Sequence, residues 1–199
     1  MYFTLFDTET TGLPYHEKAP LRLQPRIIEF GGLVTDGEQI LDTFEFVCNP
    51  GIEIEPIITK ITGLTNEDLA GKEFFSSYVE GLADFFGYSP CGSPVPQLVR
   101  VAHNLSFDRH MLEYDLARID LTLDAIGFDR PNCDGPKALM LCTVEQTMHQ
   151  YGRRMKLEEL YNELVGEYEQ THRALDDVKL MHEVCKRLGI YELIKESAQ

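Results

Sequence analysis

Three strand-like runs crowd into the first 48 residues, and they confine the fold more than any other feature of the chain. Tyr2–Asp7 is apolar and aromatic, Arg26–Thr35 is rich in Ile, Phe and Val, and Gln39–Cys48 alternates through Ile40, Asp42, Phe44 and Phe46. Asp36-Gly37-Glu38 between the last two reads as a hairpin turn, so an antiparallel meander is the natural assembly. Helical signals follow. Asn66 can cap a short turn, and Phe74, Phe75, Tyr78, Val79, Leu82, Phe85 and Phe86 recur at helical spacing. The Pro- and Gly-rich stretch Tyr88–Pro96 ends that helix, Leu98–Ala102 reads as a buried strand, and Ser106 caps a helix running to about Ile119. A long loop through Gly127, Pro131, Gly135 and Pro136 leads to a short strand, Ala138–Cys142. Helices near Thr143–Tyr151, Leu157–Val165 and Arg173–Leu188 complete the pattern. Three antiparallel strands followed by alternating helix and strand predict an α/β mixed sheet with helices on its faces. At 199 residues and 43% hydrophobic, the chain fits one domain, 1–199, with a sizeable core.

No stretch approaches the ~20 apolar residues that span a bilayer, and Met1–Asp7 carries no basic region of a signal peptide. The five cysteines (Cys48, Cys91, Cys133, Cys142 and Cys185) are odd in number and widely spaced, which suits a reducing cytoplasm. A zinc site can be drawn from Cys133, Cys142 and His149, but the spacing matches no common ligand pattern.

Acidic side chains carry the chemistry. Asp7 and Glu9, two apart on a strand, project on the same side and repel each other unless a cation sits between them. His103-Asn104-Leu105-Ser106-Phe107-Asp108 joins a strand to a helix, with Asp108 in the first turn, where the helix dipole favours a carboxylate. In His172-Arg173-Ala174-Leu175-Asp176-Asp177, Asp177 falls on the stripe of Ala174, Val178, Met181, Cys185 and Leu188, while Asp176 points away. A charge on an inward face is costly unless it is paired or bound to metal. Taken singly, each set reads as readily as a solvated strand end, a helix start or a loop histidine. Together they supply four carboxylates and one imidazole at element ends. Hard oxygen ligands suit Mg²⁺ or Mn²⁺, and two such ions support phosphodiester hydrolysis.

These motifs resemble the DEDDh exonuclease family, the group similar to the epsilon proofreading subunit of bacterial DNA polymerase III. Asp7-Thr8-Glu9-Thr10-Thr11-Gly12-Leu13, Ala102-His103-Asn104 with Phe107-Asp108, and His172 through Asp177 occur in the family's order. Ile61-Thr62-Gly63-Leu64-Thr65 resembles its turn before the second helix, and the likeness runs over about residues 2 to 188. The resemblance implies a ribonuclease H-like fold and a two-metal-ion 3′→5′ exonuclease acting on single-stranded DNA ends and releasing nucleoside 5′-monophosphates. By the same resemblance Asp7 bridges two ions, Glu9 and Asp177 hold the one that activates water, Asp108 holds the other, and His172 is the general base. Thr10 and Leu13 match positions that contact the terminal nucleotide, and Asn104 and Phe107 match positions lining the same cleft. One departure is Cys142-Thr143, where many relatives have Asp-Thr.

A net charge of −15 argues against a protein that coats duplex DNA by neutralising many phosphates. It leaves an enzyme that holds a few nucleotides at a strand end, since bound cations add charge absent from the sequence count. An RNA trimmer similar to ribonuclease T or oligoribonuclease is the alternative, and a polymerase accessory module the third reading. A polymerase partner stays open, although about ten residues after the last expected helix make no long tether.

Overall fold

The computed structural model describes residues 1–16, 18–89, 97–130, 137–168 and 171–197. A five-stranded mixed sheet forms the centre, with strands β1 (Tyr2–Thr10), β2 (Ile27–Thr35), β3 (Ile40–Val47), β4 (Leu98–Ala102) and β5 (Leu139–Cys142) in the order β3-β2-β1-β4-β5. β1 pairs antiparallel with β2 and parallel with β4, and β4 pairs parallel with β5. This is the ribonuclease H-like mixed sheet expected from the sequence. The β2–β3 hairpin turns where expected. The Asp36 carboxylate accepts from the amides of Glu38 (2.8 Å) and Gln39 (2.9 Å), and Gly37 takes a positive φ of 100°.

Helices α1 (Pro56–Thr62), α2 (Asn66–Ala70), α3 (Val79–Phe86) and α4 (Leu105–Ala117) precede β5, and α5 (Thr143–Tyr151), α6 (Leu157–Leu164), α7 (Ala174–Arg187) and α8 (Ile190–Ser197) follow it. Strand alternation divides the sheet into two cores. Phe6, Phe30, Val34 and Phe46 face α3 and α4, burying Phe85, Phe86, Met111 and Leu112. Phe3, Leu5, Leu33, Val99 and Val101 face α6, α7 and α8, burying Leu160, Val178, Met181 and Tyr191. Asp7 and Glu9 continue the row of Phe3 and Leu5, so they lie on the α7 side.

Three local expectations are corrected. Thr65, not Asn66, caps α2 through a capping box with Asp68, because the Asn66 side chain is engaged with the Ile54 amide (2.7 Å) and carbonyl (3.2 Å). Ser106 lies inside α4 rather than capping it. The cap position belongs to Asn104, which tolerates the left-handed φ of 76° that turns the chain off β4. A further helix, α8, follows α7 after Gly189 and buries Ile190 and Tyr191 against the second core. Cys91, Cys133 and the His149 side chain, together with most of the two Pro/Gly loops, lie outside the described residues. No helix among the described residues is long and apolar enough to cross a membrane.

Two features hold the layers in place. Gly31 and Gly32 on β2 face opposite sides. A Cβ at Gly31 would stand 2.2 Å from the Leu175 amide, and one at Gly32 would stand 2.4 Å from the Phe85 ring. Only bare backbone lets the first turn of α7 lie directly on the sheet. On the other face, Arg100 of β4 is fully buried. Its guanidinium donates to the Thr4 hydroxyl and to the carbonyls of Phe86, Gly127 and Phe128, and it lies 5.0 Å from the Phe86 ring centroid. Burial lowers its pKa to about 9. Replacing it strands several buried acceptors, each costing about 1–3 kcal/mol. Arg100→Met is therefore expected to lower unfolding stability by about 3 kcal/mol or more; a urea midpoint at the wild-type value would contradict this account.

Candidate active site

The site grows from the end of β1. Its backbone carries Asp7 and Glu9 on the α7 face and turns Thr8 the other way. The Thr8 amide (3.0 Å) and hydroxyl (2.8 Å) both donate to Asp108 Oδ1, which joins α4 to β1. Asp108 is 1% exposed, and its Oδ2 is buried with no hydrogen-bond partner among the described residues. Asp177 enters from the first turn of α7, 3% exposed, while Asp176 turns outward to Lys179 at 3.4 Å. The close approach at Gly31, which sits opposite Asp7 in the β1–β2 register, delivers Asp177 to this point.

His172 precedes α7 with a φ of 51°, a left-handed conformation unusual for a residue with a side chain. What holds it is Arg173, whose Nε lies 2.9 and 3.1 Å from the two carboxylate oxygens of Glu29 and whose Nη2 lies 2.8 Å from one of them. Glu29 is 3% exposed and sits opposite Glu9 in the β1–β2 register. Glu29 and Arg173 were not singled out from the sequence. The available signal is an acid within an otherwise apolar strand, which must find a cation if it is buried.

Glu9, His172 and Asp177 each bring one ligand atom to a cluster in which all three lie within 4.8 Å of one another. Asp7, His172 and Asp177 share an open cleft of about 630 Å³ with His103, Asn104, Ser106, Arg154, Lys156 and Leu157. Of the remaining predicted positions, Asn104 borders this cleft, and Leu13 stands 79% exposed just beyond β1. The Thr10 hydroxyl is turned to the Gly12 carbonyl at 2.7 Å, and Phe107 is half-buried against the α3–α4 core.

Electrostatics set the character of the site. Burial first, then the charges of Asp108, Glu9, Asp177 and Glu29, push the Asp7 carboxyl well above the ordinary range. Burial, Asp177 and Glu29 push Glu9 up to about 8, against a lowering pull from Arg173. Burial raises Asp108 to about 7, even though the Thr8 hydrogen bonds pull the other way. Like charges crowded at low dielectric, an unpartnered buried oxygen, and a cluster of carboxylates with one imidazole together fit a divalent cation with hard oxygen preference.

The chain is similar to known proteins in sequence and in fold. Residues 4–185 match the RNase T family model, described as exonuclease. The chain is 30% identical over 199 residues to the PolC-type DNA polymerase III of Thermotoga maritima, covering 96% of this chain and 12% of that one. It is 27% identical over 180 residues to the 3′-5′ exonuclease DinG of Bacillus subtilis, covering 89% of this chain and 16% of that one. The chain thus spans only a small part of the length of these curated relatives. Among solved structures, the nuclease domain of 3′hExo, a DEDDh family member bound to rAMP, superposes with a TM-score of 0.70 at 18% identity. That match covers 94% of this chain and 90% of that one.

The raised carboxyls give a prediction for the metal-free protein. In an unfolded chain such acids lose their proton near pH 4. Folded, Glu9 and Asp108 keep theirs up to about 8 and about 7. The folded state therefore binds more protons across that window, and its stability falls as the pH rises from about 4 to about 8. In EDTA the melting temperature of wild type should drop over this range more steeply than that of Glu9→Gln/Asp108→Asn. Mn²⁺ should raise the wild-type value most at the alkaline end; equal slopes for the two proteins would refute this reading. With its cleft, its carboxylates and its sequence match considered together, the chain belongs to the RNase T exonuclease family.

Proposed function

We propose that this protein, acting as a single exonuclease domain over 1–199, removes nucleotides one at a time from the 3′ end of single-stranded nucleic acid, with DNA as the first substrate. The observation that carries the reading is the meeting of Asp7, Glu9, Asp108, Asp177 and His172 at one end of β1 beside an open cleft. The PolC-type relative is a DNA polymerase by name, which favours DNA. The rAMP on 3′hExo keeps an RNA 3′ end as the second reading.

Asp7, Glu9, Asp108 and Asp177 are the residues that would hold Mg²⁺ or Mn²⁺, and the ions would lower the cost of forming hydroxide and stabilise the departing oxygen. The protein's own groups do the rest. His172, fixed by the Arg173–Glu29 pair, takes the proton from the water that attacks the last internucleotide phosphorus. The bond from that phosphorus to the 3′ oxygen of the preceding sugar breaks. A nucleoside 5′-monophosphate leaves, and the shortened strand keeps a 3′-hydroxyl. Asn104 borders the cleft where the terminal nucleotide would lie, and Leu13, exposed just beyond β1, would meet a base.

The test is digestion of matched 5′-labelled DNA and RNA oligonucleotides with Mg²⁺ or Mn²⁺. A ladder shortening from the 3′ end is expected, faster on DNA, with kcat reduced about 10²-fold or more in His172→Ala. Products bearing 3′-phosphates, or a ladder undiminished in the mutant, would sink the mechanism. A second variant, Glu29→Gln, loosens Arg173 and with it His172. It should lower kcat about tenfold with little change in KM, the pattern of a positioning residue.

A further inference from the structure

The cleft described above has a floor of carboxylates, in a chain with 33 acidic and 18 basic residues. A phosphodiester strand entering it needs cationic partners away from the site of cleavage. Two of the side chains bordering the cleft are cations, Arg154 and Lys156, both on the connector between α5 and α6. The two are exposed, whereas Met155 and Leu157 between and after them are buried at 6% and 5%. This alternation sends the two cations to one side and the two apolar residues into the second core.

What sets these two apart is their place at the cleft, since several arginines elsewhere are matched to acids. Arg109 is matched to Glu113 and Asp129, Arg118 to Asp115, Arg153 to Glu159, and Arg173 to Glu29. Neither Arg154 nor Lys156 has a carboxylate partner within 4.0 Å among the described residues. Their connector is nonetheless anchored. The His103 ring bonds the Met155 carbonyl at 3.1 Å on one nitrogen and the Thr143 hydroxyl at 2.8 Å on the other. The bond to the carbonyl requires an N–H on Nε2, and the ring is neutral near pH 7. Burial keeps it so, lowering the pKa of His103 to about 4. The Lys156 amide is held by Glu159 at 3.0 Å, and Gly152 turns the chain at a φ of 69°. Two unpaired cations on a fixed segment beside an acidic floor have the layout of a strand guide.

We propose that Arg154 and Lys156 form a phosphate-binding rail that receives the strand 5′ to the bond cleaved, held at the cleft wall by the His103 tether. The proposal rests on the strand-end reading above and adds to it a substrate-binding site outside the metal cluster. The rail reads phosphates, so it serves DNA and RNA alike and sets affinity rather than sugar preference.

The test is fluorescence anisotropy of a labelled single-stranded oligonucleotide with phosphorothioate linkages at its 3′ end, in Mn²⁺, across a salt series. Wild type is compared with Arg154→Ala/Lys156→Ala and with the charge-keeping Arg154→Lys/Lys156→Arg. Each phosphate contact contributes about 0.7 to the slope of log affinity against log salt for a single strand. The alanine pair should bind about tenfold more weakly at low salt, with a slope shallower by about 1.4, and the charge-keeping pair should stay near wild type. An alanine pair with wild-type affinity and slope overturns the rail, and so does a charge-keeping pair that loses as much as alanine. A wild type that binds with a steep slope weakened in the alanine pair, yet shortens no ordinary strand, supports the rail and removes the exonuclease reading alone. A wild type that does not bind the strand removes both.

Discussion

Charge crowding at one end of β1 is the constraint around which the molecule is arranged. Asp7, Glu9, Asp108 and Asp177 gather with Glu29 close behind, and Arg173 is the cation paired within this group. Left to themselves such groups would move apart or bury fewer charges, because each raises the cost of ionising the next. The fold prevents both. Asp108 is tied through one oxygen to backbone and hydroxyl of Thr8, so its other oxygen has nowhere to relax. Asp177 sits in the first turn of a helix, where unsatisfied amides favour a negative charge.

The scaffold is stiff where this repulsion is stored. β1 is central, flanked by β2 and β4, so its end cannot swing aside. α7 lies against bare backbone at Gly31, at the sheet position opposite Asp7. The far face is locked by Arg100, which gathers carbonyls from α3 and from the turn before residue 129 onto β4. Glu29 and Arg173 complete the arrangement by fixing the backbone at the unusual conformation that presents His172. The cleft and the two cores are therefore products of the same few contacts.

Local pattern carried much of this into view. Strand alternation put Asp7 and Glu9 on one face, helical periodicity turned Asp177 inward and Asp176 outward, and Asp36-Gly37 marked the hairpin. These follow from the geometry of single elements. Helix caps were less legible, since Thr65 and Asn66 both suit the position and only the Ile54 backbone decides between them. Ser106 failed as a cap because Asn104 could enter the left-handed region first. The helix after Gly189 was missed for want of a long periodic run, and it is fixed by packing of Ile190 and Tyr191 on elements distant in sequence. Glu29, Arg173, Arg154 and Lys156 were beyond reach for a similar reason. Their significance lies in which partner each side chain meets across the fold, and no spacing along the chain encodes that.

The central place of β1 has a temporal consequence. Asp7 is among the first residues of the chain, and its neighbour β4 comes more than ninety positions later, with Asp177 later still. Contacts so distant in sequence form late and slowly, after the local hairpin of β2 and β3. Asp7 and Glu9 are thus made well before β4 and α7, and the carboxylates gather only once α7 can settle on Gly31. The arrangement is a built-in delay, one that keeps the carboxylate cluster apart until the last long helix of the sheet's second face is made.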